Sequence, residues 1–311
     1  MRRSLTAAAI LVLAFPIGRP LAQQAPAHLN PMIERLAAGK PVFGVSTADL
    51  SMDNAHALAR ADIDYVRIEM EHGPMNMESL RNFLIGMIDK EATLKRGTAQ
   101  VNVAPIARFA PYGRENAEWV PKQALDIGLM GVMFNDIDDK EQALRAVRNM
   151  RYPQLKTSKY LEPNGLRGAG SMNALWFWGI SSAEYSRRAD VWPLNPQGDL
   201  LAIMMIESVE GLQHIDEIAS VPGVGIIFPG AAVDLANAMG IPGNAPEKEA
   251  ALQTILKSCK AHNVACGVVA NTPADVQKRI QEGWKYIDFG PNTGLSSAAD
   301  AAARAARGAA R

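Results

Sequence analysis

Short apolar runs alternate with longer segments of mixed polarity along most of the chain. Strands that are apolar nearly throughout are typical of a parallel sheet covered on both faces. Eight such runs, separated by segments able to form helices, predict a closed (β/α)8 TIM barrel of the α/β class. The predicted strands are Pro41–Ser46, Tyr65–Met70, Ala104–Phe109, Gly131–Phe134, Ala202–Ser208, Gly225–Phe228, Cys266–Ala270 and Tyr286–Phe289.

A doubly wound open sheet is the alternative architecture for this pattern. It is disfavoured because no strand is followed by a Gly-x-Gly-x-x-Gly turn or by a phosphate-binding loop that ends in Gly-Lys-Ser/Thr. The long connection from Arg151 to Asp199 is typical of a lid, an interface element or a helical excursion. The alanine-rich end, residues 297–311, predicts a final helix.

The first 27 residues have the order of a secretory signal peptide. Arg2 and Arg3 precede the apolar stretch from Leu5 to Gly18, and a region of small residues follows. A transmembrane helix needs about 20 apolar residues, so this stretch is too short for a stable membrane span. We therefore expect a cleaved signal peptide at 1–27, a single barrel domain at 28–311, and a periplasmic or secreted protein.

Composition narrows the class of partner. The chain has 311 residues, of which 48% are hydrophobic, and its 32 lysines and arginines balance 32 aspartates and glutamates. Because no basic stripe is present, nucleic-acid binding has no electrostatic support. A small-molecule partner is therefore expected.

Two cysteines, Cys259 and Cys266, lie on a predicted helix and at the start of the next predicted strand. Their spacing is not that of a metal site. Two cysteines do not make a disulfide framework, so the sequence favours packed, unreactive thiols.

Charged side chains collect where the predicted strands end. The carboxyl ends of barrel strands form the face on which barrel enzymes bind their substrates. This grouping therefore predicts an active site on that face. Its members are Glu69, Glu71 and His72 at and after the end of the second strand, Arg108 at the end of the third, Glu207 at the end of the fifth and Asp234 after the sixth.

These residue types have specific uses in such a site. An imidazole held beside carboxylates is able to move a proton near neutral pH, which favours His72. Two carboxylates at neighbouring strand ends, Glu207 and Asp234, are able to hold a divalent cation that keeps positions open for water or substrate. The planar fork of Arg108 suits a carboxylate or a developing enolate oxygen, although a structural ion pair is its alternative role.

Several ordered motifs resemble those of the HpcH/HpaI aldolase/citrate lyase family. The short-chain members of this family cleave 4-hydroxy-2-oxo acids to pyruvate and an aldehyde, and the family fold is a (β/α)8 barrel. The resemblance runs from about Pro41 to Leu295. It rests on Glu71–Pro74, Pro105–Arg108, Leu125–Gly128, Arg151–Pro153, Gly165–Gly168, Ile206–Glu207, Asp234–Leu235 and Met239–Gly240.

The resemblance implies a role for each matched residue. Glu207 and Asp234 would ligate Mg²⁺ or Mn²⁺, which would chelate the pyruvyl unit of a 2-oxo acid substrate. Arg108 would stabilise the enolate oxygen, and His72 would move protons together with Asp126. No lysine matches a Schiff-base role. The resemblance also implies a homo-oligomer in which the segment after Thr293 packs against a neighbouring subunit.

Three positions depart from the family pattern. Glu69 stands where the family usually has aspartate, and Met205 stands where glutamine is common. The segment from Phe228 to Leu235 has one extra residue, which changes the backbone at Ala232, Val233 and Asp234 that would bind the substrate carboxylate. The metal and proton machinery therefore looks retained, whereas substrate recognition looks altered.

Two alternative functions stay open at this point. A lyase for acyl-CoA esters, as in the citrate lyase branch, would bind a CoA thioester and not pyruvate. A non-catalytic, exported solute-binding barrel would bind its ligand without exchanging any proton. Met205, the altered loop and the export signal motivate the second alternative.

Export predicts a defined mature N-terminus. Protein recovered from the periplasm should begin between Gln23 and His28, because the small residues that a signal peptidase prefers lie just before these positions. Mass spectrometry of the intact protein measures this directly. Recovery of the chain from the cytoplasm with Met1 in place as the main form would contradict export.

Overall fold

A computed structural model describes residues 28–110, 115, 118–270 and 272–291. Its centre is a parallel sheet that closes on itself, surrounded by helices. The strands of the described part are β1 (Val42–Thr47), β2 (Tyr65–Glu69), β3 (Ala104–Arg108), β4 (Gly131–Phe134), β5 (Val191–Trp192), β6 (Leu200–Met205), β7 (Val224–Phe228), β8 (Ala265–Val269) and β9 (Tyr286–Pro291).

Helices occupy the connections between these strands. Many begin at an Asn, Ser, Asp or Thr whose side chain accepts a hydrogen bond from the first turn, as Asn30 does before α1 and Ser208 before α9. The helices of the described part are α1 (Pro31–Ala37), α2 (Met52–Ala59), α3 (Met77–Gly86), α4 (Lys90–Arg96), α5 (Trp119–Ile127), α6 (Lys140–Met150), α7 (Met172–Trp178), α8 (Ser182–Arg188), α9 (Val209–Gln213), α10 (Ile215–Ala219), α11 (Val233–Ala238), α12 (Pro246–His262) and α13 (Pro273–Glu282).

Eight strands form the closed barrel, in the order β1, β2, β3, β4, β6, β7, β8, β9 and back to β1. Every pairing is parallel. The remaining strand, β5, is not part of the closed barrel and pairs with the first two residues of β6. The predicted (β/α)8 barrel is therefore confirmed, and its strand bounds differ from the predicted ones by at most three residues.

Glycines on the strands make room for rings inside the barrel. Tyr65 and Tyr286 stack with their ring centroids 4.3 Å apart. A Cβ on Gly44 would lie 2.4 Å from the carbonyl oxygen of Tyr65, and one on Gly267 would lie 2.6 Å from the Tyr286 ring. Any larger residue at these two positions would displace the stacked rings.

The described chain begins at the amino-terminal end of the barrel. Asp199, which is fully buried just before β6, accepts hydrogen bonds from the backbone amides of Leu29 and Asn30 and lies 3.0 Å from His28 Nδ1. Arg188 pairs with the second oxygen of Asp199 at 2.9 Å. These contacts hold the first described residues against the amino-terminal end of the barrel.

The long connection between β4 and β6 is a helical excursion that contains α6, α7, α8 and β5. Trp178 is fully buried there, and its indole nitrogen donates to the carbonyl oxygen of Gly128 at 2.8 Å. Trp176, two residues earlier, has 68% of its surface exposed.

The two cysteines form a disulfide, so the expectation of free thiols is wrong. Cys259 lies in α12 and Cys266 in β8, as the sequence suggested. The helix ends at Asn263, which has a left-handed φ of 56° and turns the chain back toward the helix. The two Cα atoms thereby come within 5.8 Å, which is in the normal range for a disulfide.

Two predicted segments lie outside the described residues: the signal peptide at 1–27 and the final helix at 297–311. Among the described helices, none combines the length and the apolar content that crossing a bilayer requires.

Reduction of the disulfide should destabilise the barrel. The bond closes a short loop of the unfolded chain, so the expected loss in the free energy of unfolding is about 2 kcal/mol. Thermal or urea unfolding with and without a thiol reductant measures this loss. A Cys259→Ser/Cys266→Ser variant should unfold like the reduced protein and should not respond to the reductant.

Candidate active site

The carboxyl ends of the barrel strands surround a cleft of about 520 Å³. Parallel pairing sets Glu69 of β2 beside Arg108 of β3, and Met205 of β6 beside Phe228 of β7. The predicted His72, Glu207, Ala232, Val233 and Asp234 all lie at this cleft with Arg108. The residues that line it include Thr47, Arg67, Glu69, His72, Arg108, Met205, Glu207, Phe228, Gly230, Ala232, Val233, Asp234 and Gly290.

Local structure explains why the two predicted metal ligands reach the cleft. Glu207 lies between the end of β6 and Ser208, which caps α9 by accepting a hydrogen bond from the amide of Gly211. Asp234 lies in the first turn of α11, which begins after Ala232 in a left-handed conformation with φ of 52°. Both carboxylates thus lie shortly after the carboxyl end of a strand, Glu207 in the connection to α9 and Asp234 in the first turn of α11.

Charged side chains of alternating sign cross the floor of the cleft. Arg67 pairs with Asp288 at 3.1 Å and with Glu69 at 3.1 Å. Glu69 Oε2 accepts from Arg108 Nε at 2.9 Å and lies 2.6 Å from Nη2. Arg108 Nη1 lies 3.0 Å from Glu71 Oε2. The arginine predicted for enolate stabilisation is thus held between two carboxylates.

The two carboxylates beside Arg108 have different electrostatic surroundings. Burial alone would raise the pKa of Glu69, but hydrogen bonds and attraction from Arg108 outweigh it and hold that pKa below its usual range. Burial raises the pKa of Glu71 above its usual range, in spite of attraction from Arg108 and His72. Glu69 is therefore a fixed anion, whereas Glu71 accepts a proton more readily.

The surroundings of Glu207 disfavour the charged form of its carboxyl group. Burial, together with repulsion from Asp136, Glu71 and Asp234, raises the pKa of Glu207 to about 7. Arg108 lowers this pKa, but by less than the other effects raise it. The cleft around Glu207 therefore carries an excess of negative charge that a cation would offset.

This donor set fits a hard divalent cation. Within the described residues, no three Asp, Glu, His or Cys side chains are arranged as a complete cage. Glu207 and Asp234 instead supply two carboxylates at the edge of an open cleft. Mg²⁺ commonly binds in this way, because it keeps several waters and takes its remaining oxygens from the substrate.

His72 lies at the mouth of the cleft, with 68% of its side chain exposed. Its Nε2 is 3.6 Å from Glu71 Oε2. This contact agrees with the predicted pairing of an imidazole with a carboxylate at this position. It also leaves one side of the ring open to substrate or to a second protein chain.

Asp126 lies apart from the cleft, near the end of α5. It pairs with Lys122 at 2.6 Å and with the buried Arg167 at 2.7 Å. Within the described part of one chain, His72 pairs with Glu71 and not with Asp126. The His72–Asp126 proton-transfer pair therefore stays a prediction, and in an oligomer it would have to form between two copies.

Two residues of the charged floor, Arg67 and Asp288, escaped the sequence analysis. Each is the third residue of its strand, β2 or β9, with apolar residues on both sides, and both strands pair with β1. Arg67 has 7% of its surface exposed and Asp288 has none. An arginine in one barrel strand and an aspartate in another, each flanked by apolar residues, was the signal that could have revealed this pair.

The model of the HpcH/HpaI aldolase/citrate lyase family matches residues 46–299 of the chain. A hydroxypyruvate/pyruvate aldolase from Paraburkholderia phytofirmans is 30% identical over 262 residues, which cover 83% of this chain and 90% of that protein. A 5-keto-4-deoxy-D-glucarate aldolase from Salmonella arizonae is 29% identical over 262 residues, covering 84% and 90% of the two chains.

A solved structure supports the same grouping. The crystal structure of a HpcH/HpaI aldolase/citrate lyase family protein from Burkholderia cenocepacia superposes with a TM-score of 0.69. The two sequences are 27% identical, and the match covers 90% of this chain and 97% of the other. The similarity therefore covers most of both chains.

The charge excess at Glu207 should destabilise the metal-free protein above neutral pH. The pKa of Glu207 is about 7 in the folded protein and 4.5 as its ordinary value, so the folded state binds this proton more tightly than the unfolded chain does. The stability that the bound proton contributes is lost as the pH rises from 4.5 through 7. Glu207→Gln should therefore raise the free energy of unfolding at pH 8, on the order of 1–3 kcal/mol, and by less at pH 5. Thermal unfolding in a chelator measures both values. An equal effect at the two pH values would contradict this account.

Proposed function

The chain belongs to the HpcH/HpaI aldolase/citrate lyase family, and from this premise we propose that it is a divalent-metal-dependent carbon–carbon lyase. Its proposed reaction cleaves a 4-hydroxy-2-oxo acid to pyruvate and an aldehyde. The observation that carries the proposal is the cleft in which Arg108, His72, Glu207 and Asp234 lie together at the carboxyl ends of the strands. Mg²⁺ or Mn²⁺, bound by Glu207 and Asp234, would polarise the oxygens of the 2-oxo acid.

Cleavage requires that a base remove the proton of the C4 hydroxyl group. The C3–C4 bond then breaks, its electron pair passes into the enolate of pyruvate, and C4 becomes the aldehyde carbon. Return of a proton to C3 completes pyruvate. His72 is suited to move these protons, because its ring is open toward the cleft and its Nε2 lies 3.6 Å from the carboxylate of Glu71.

Arg108 is suited to stabilise the enolate oxygen. A guanidinium group has five N–H donors. The contacts with Glu69 and Glu71 and the hydrogen bond from Nη1 to the Met205 sulfur use four of them. One donor, on Nη2, is left for the substrate. Because Arg108 is held in place before substrate binds, little reorganisation accompanies the development of negative charge.

Met205 gives the cleft an apolar wall beside Arg108. Its sulfur lies 3.8 Å from Arg108 Nη1, and a Cβ on Gly230 would lie 2.8 Å from its methyl group. A thioether is a weak hydrogen-bond acceptor. This wall therefore favours a less polar substrate group beside Arg108 than a glutamine at this position would accept.

We also propose that the protein is exported and forms a homo-oligomer. The disulfide supports export, because such bonds persist in oxidising compartments. Cleavage between Gln23 and His28 would keep the contact of His28 with Asp199. Association of two copies through the segment after Thr293 would allow Asp126 of one copy to approach the exposed ring of His72 in another.

The enolate half-reaction offers a direct test of the proposed function. The protein should exchange the methyl protons of pyruvate for deuterium in D₂O, and only with a divalent metal present. Proton NMR measures the exchange with Mg²⁺, Mn²⁺ or Co²⁺ after removal of other metals. Glu207→Ala and Asp234→Ala should abolish the metal-dependent exchange in a folded protein. Pyruvate binding without exchange under any of these metals would favour a solute-binding barrel.

The fork of Arg108 should matter more than its charge. Arg108→Lys keeps one positive charge but loses the planar arrangement of donors, so we expect a loss of about 10²-fold in exchange rate. The same NMR measurement gives this rate, and circular dichroism verifies the fold. A rate near that of the wild type would assign Arg108 a purely structural role.

A further inference from the structure

A buried ion pair lies inside the barrel, directly beneath the candidate active site. Arg67 Nε is 3.1 Å from Asp288 Oδ2, and both side chains are almost completely buried. The strands that carry them, β2 and β9, lie on either side of β1. The pair therefore reaches across β1 within the barrel interior. The ring of Phe228, 5.8 Å from the Arg67 guanidinium, packs against the same group.

Stability alone does not account for a charged pair at this position. Removing two charges from water costs several kcal/mol per ion, and apolar residues of similar volume are often at least as stabilising. The surrounding barrel is filled by aromatic and aliphatic side chains, such as Tyr65, Phe228 and Tyr286. Because this pair contributes little net stability and contacts the site, we expect it to have a role in the site.

Arg67 has a second partner, and that partner holds Arg108. While Nε of Arg67 contacts Asp288, its Nη1 donates to Glu69 Oε2 at 3.1 Å. The same oxygen of Glu69 accepts from Arg108 Nε at 2.9 Å, and the other oxygen accepts from the amide of Glu71 at 3.0 Å. Glu69 is thus fixed from below by Arg67 and in turn fixes the fork of Arg108.

Asp288 is itself rigidly placed. Its Oδ1 accepts from the amide of Gly290 at 2.7 Å, and its backbone pairs with Val269 of β8 and Gly44 of β1. A connected series of contacts therefore runs from the barrel wall through Asp288, Arg67 and Glu69 to Arg108.

The geometry points to Arg67 and Asp288 as positioning residues that set the orientation of the Arg108 guanidinium through Glu69. The inference rests on the proposed function, in which Arg108 stabilises the enolate oxygen. Displacement of a catalytic group by about 1 Å can lower a rate by about 10²-fold. Loss of the buried pair should therefore lower the rate although neither residue moves a proton.

The test removes the pair without leaving a buried charge alone. Arg67→Met/Asp288→Asn keeps the approximate volume, and the asparagine Oδ1 can still accept from Gly290. In the pyruvate exchange assay, kcat should fall about tenfold or more, while the KM for pyruvate should change by no more than about twofold. Arg67→Lys, which keeps the charge but loses the fork, is a second variant with the same expected direction.

A positioning role predicts a second result that a purely structural role does not predict. In an Arg108→Lys background, the same double substitution should lower kcat by less than about twofold, because the group that it positions is already impaired. Independently of turnover, a crystal structure of the metal-free double variant should show the Arg108 guanidinium displaced from Glu69. Equal rate losses in both backgrounds, or an unmoved Arg108, would overturn the inference.

The chain contains a closely matched control. Arg188 and Asp199 form another ion pair at 2.9 Å, with 9% and 0% of their side chains exposed, at the opposite end of the barrel. The Arg67–Asp288 side chains are 8% and 0% exposed. Arg188→Lys should lower the thermal stability and leave the exchange rate unchanged.

The outcomes separate this inference from the proposed function. Wild-type protein that exchanges no pyruvate protons with any of the metals overturns both. Wild-type exchange with an unchanged rate in Arg67→Met/Asp288→Asn overturns the positioning role alone. A rate loss as large in Arg188→Lys would also overturn it, because general destabilisation would then explain the effect.

Discussion

Hydrogen bonds between β4 and β6 close the sheet into a cylinder, although α6, α7, α8 and β5 intervene in the sequence. The close contact at this seam depends on Gly131, where a Cβ would lie 2.7 Å from Ile106 and 3.1 Å from the carbonyl oxygen of Leu201. Without closure, the end of β3 would not face the end of β6. Arg108 and Glu207 would then lie in separate regions of an open sheet, so the cleft exists only because the sheet has no edge.

Within that cleft, negative charge is compensated on one side more than on the other. Glu69 and Glu71 share Arg108, and Glu69 also contacts Arg67, so the negative charge on this side is largely compensated. On the other side, Glu207 faces further carboxylates with less compensation. A cation placed there would satisfy the uncompensated side while Arg108 stays available to the substrate. In the proposed function, this distribution of arginines would divide the site into a part that binds the cation and a part that binds the oxyanion.

Much of the fold could be predicted because parallel barrel strands are buried on both faces and so form continuous apolar runs. The same regularity located Glu207 and Arg108, since every strand end belongs to one rim of the barrel. The disulfide could not be predicted in this way. It depends on the left-handed turn at Asn263, which brings Cys259 and Cys266 together, and the apolar pattern does not specify such a turn.

The sequence by itself determined the barrel, the rim on which the chemistry lies and the residue types that reach it. It did so because strand periodicity and strand ends are local properties of the chain. Only the tertiary structure decided which charges meet. Arg67 and Asp288 are far apart in sequence and meet only because β2 and β9 both pair with β1, whereas Asp126 pairs with Lys122 and Arg167 instead of His72. Pairing of charges depends on direction and distance in three dimensions, and a linear pattern carries neither.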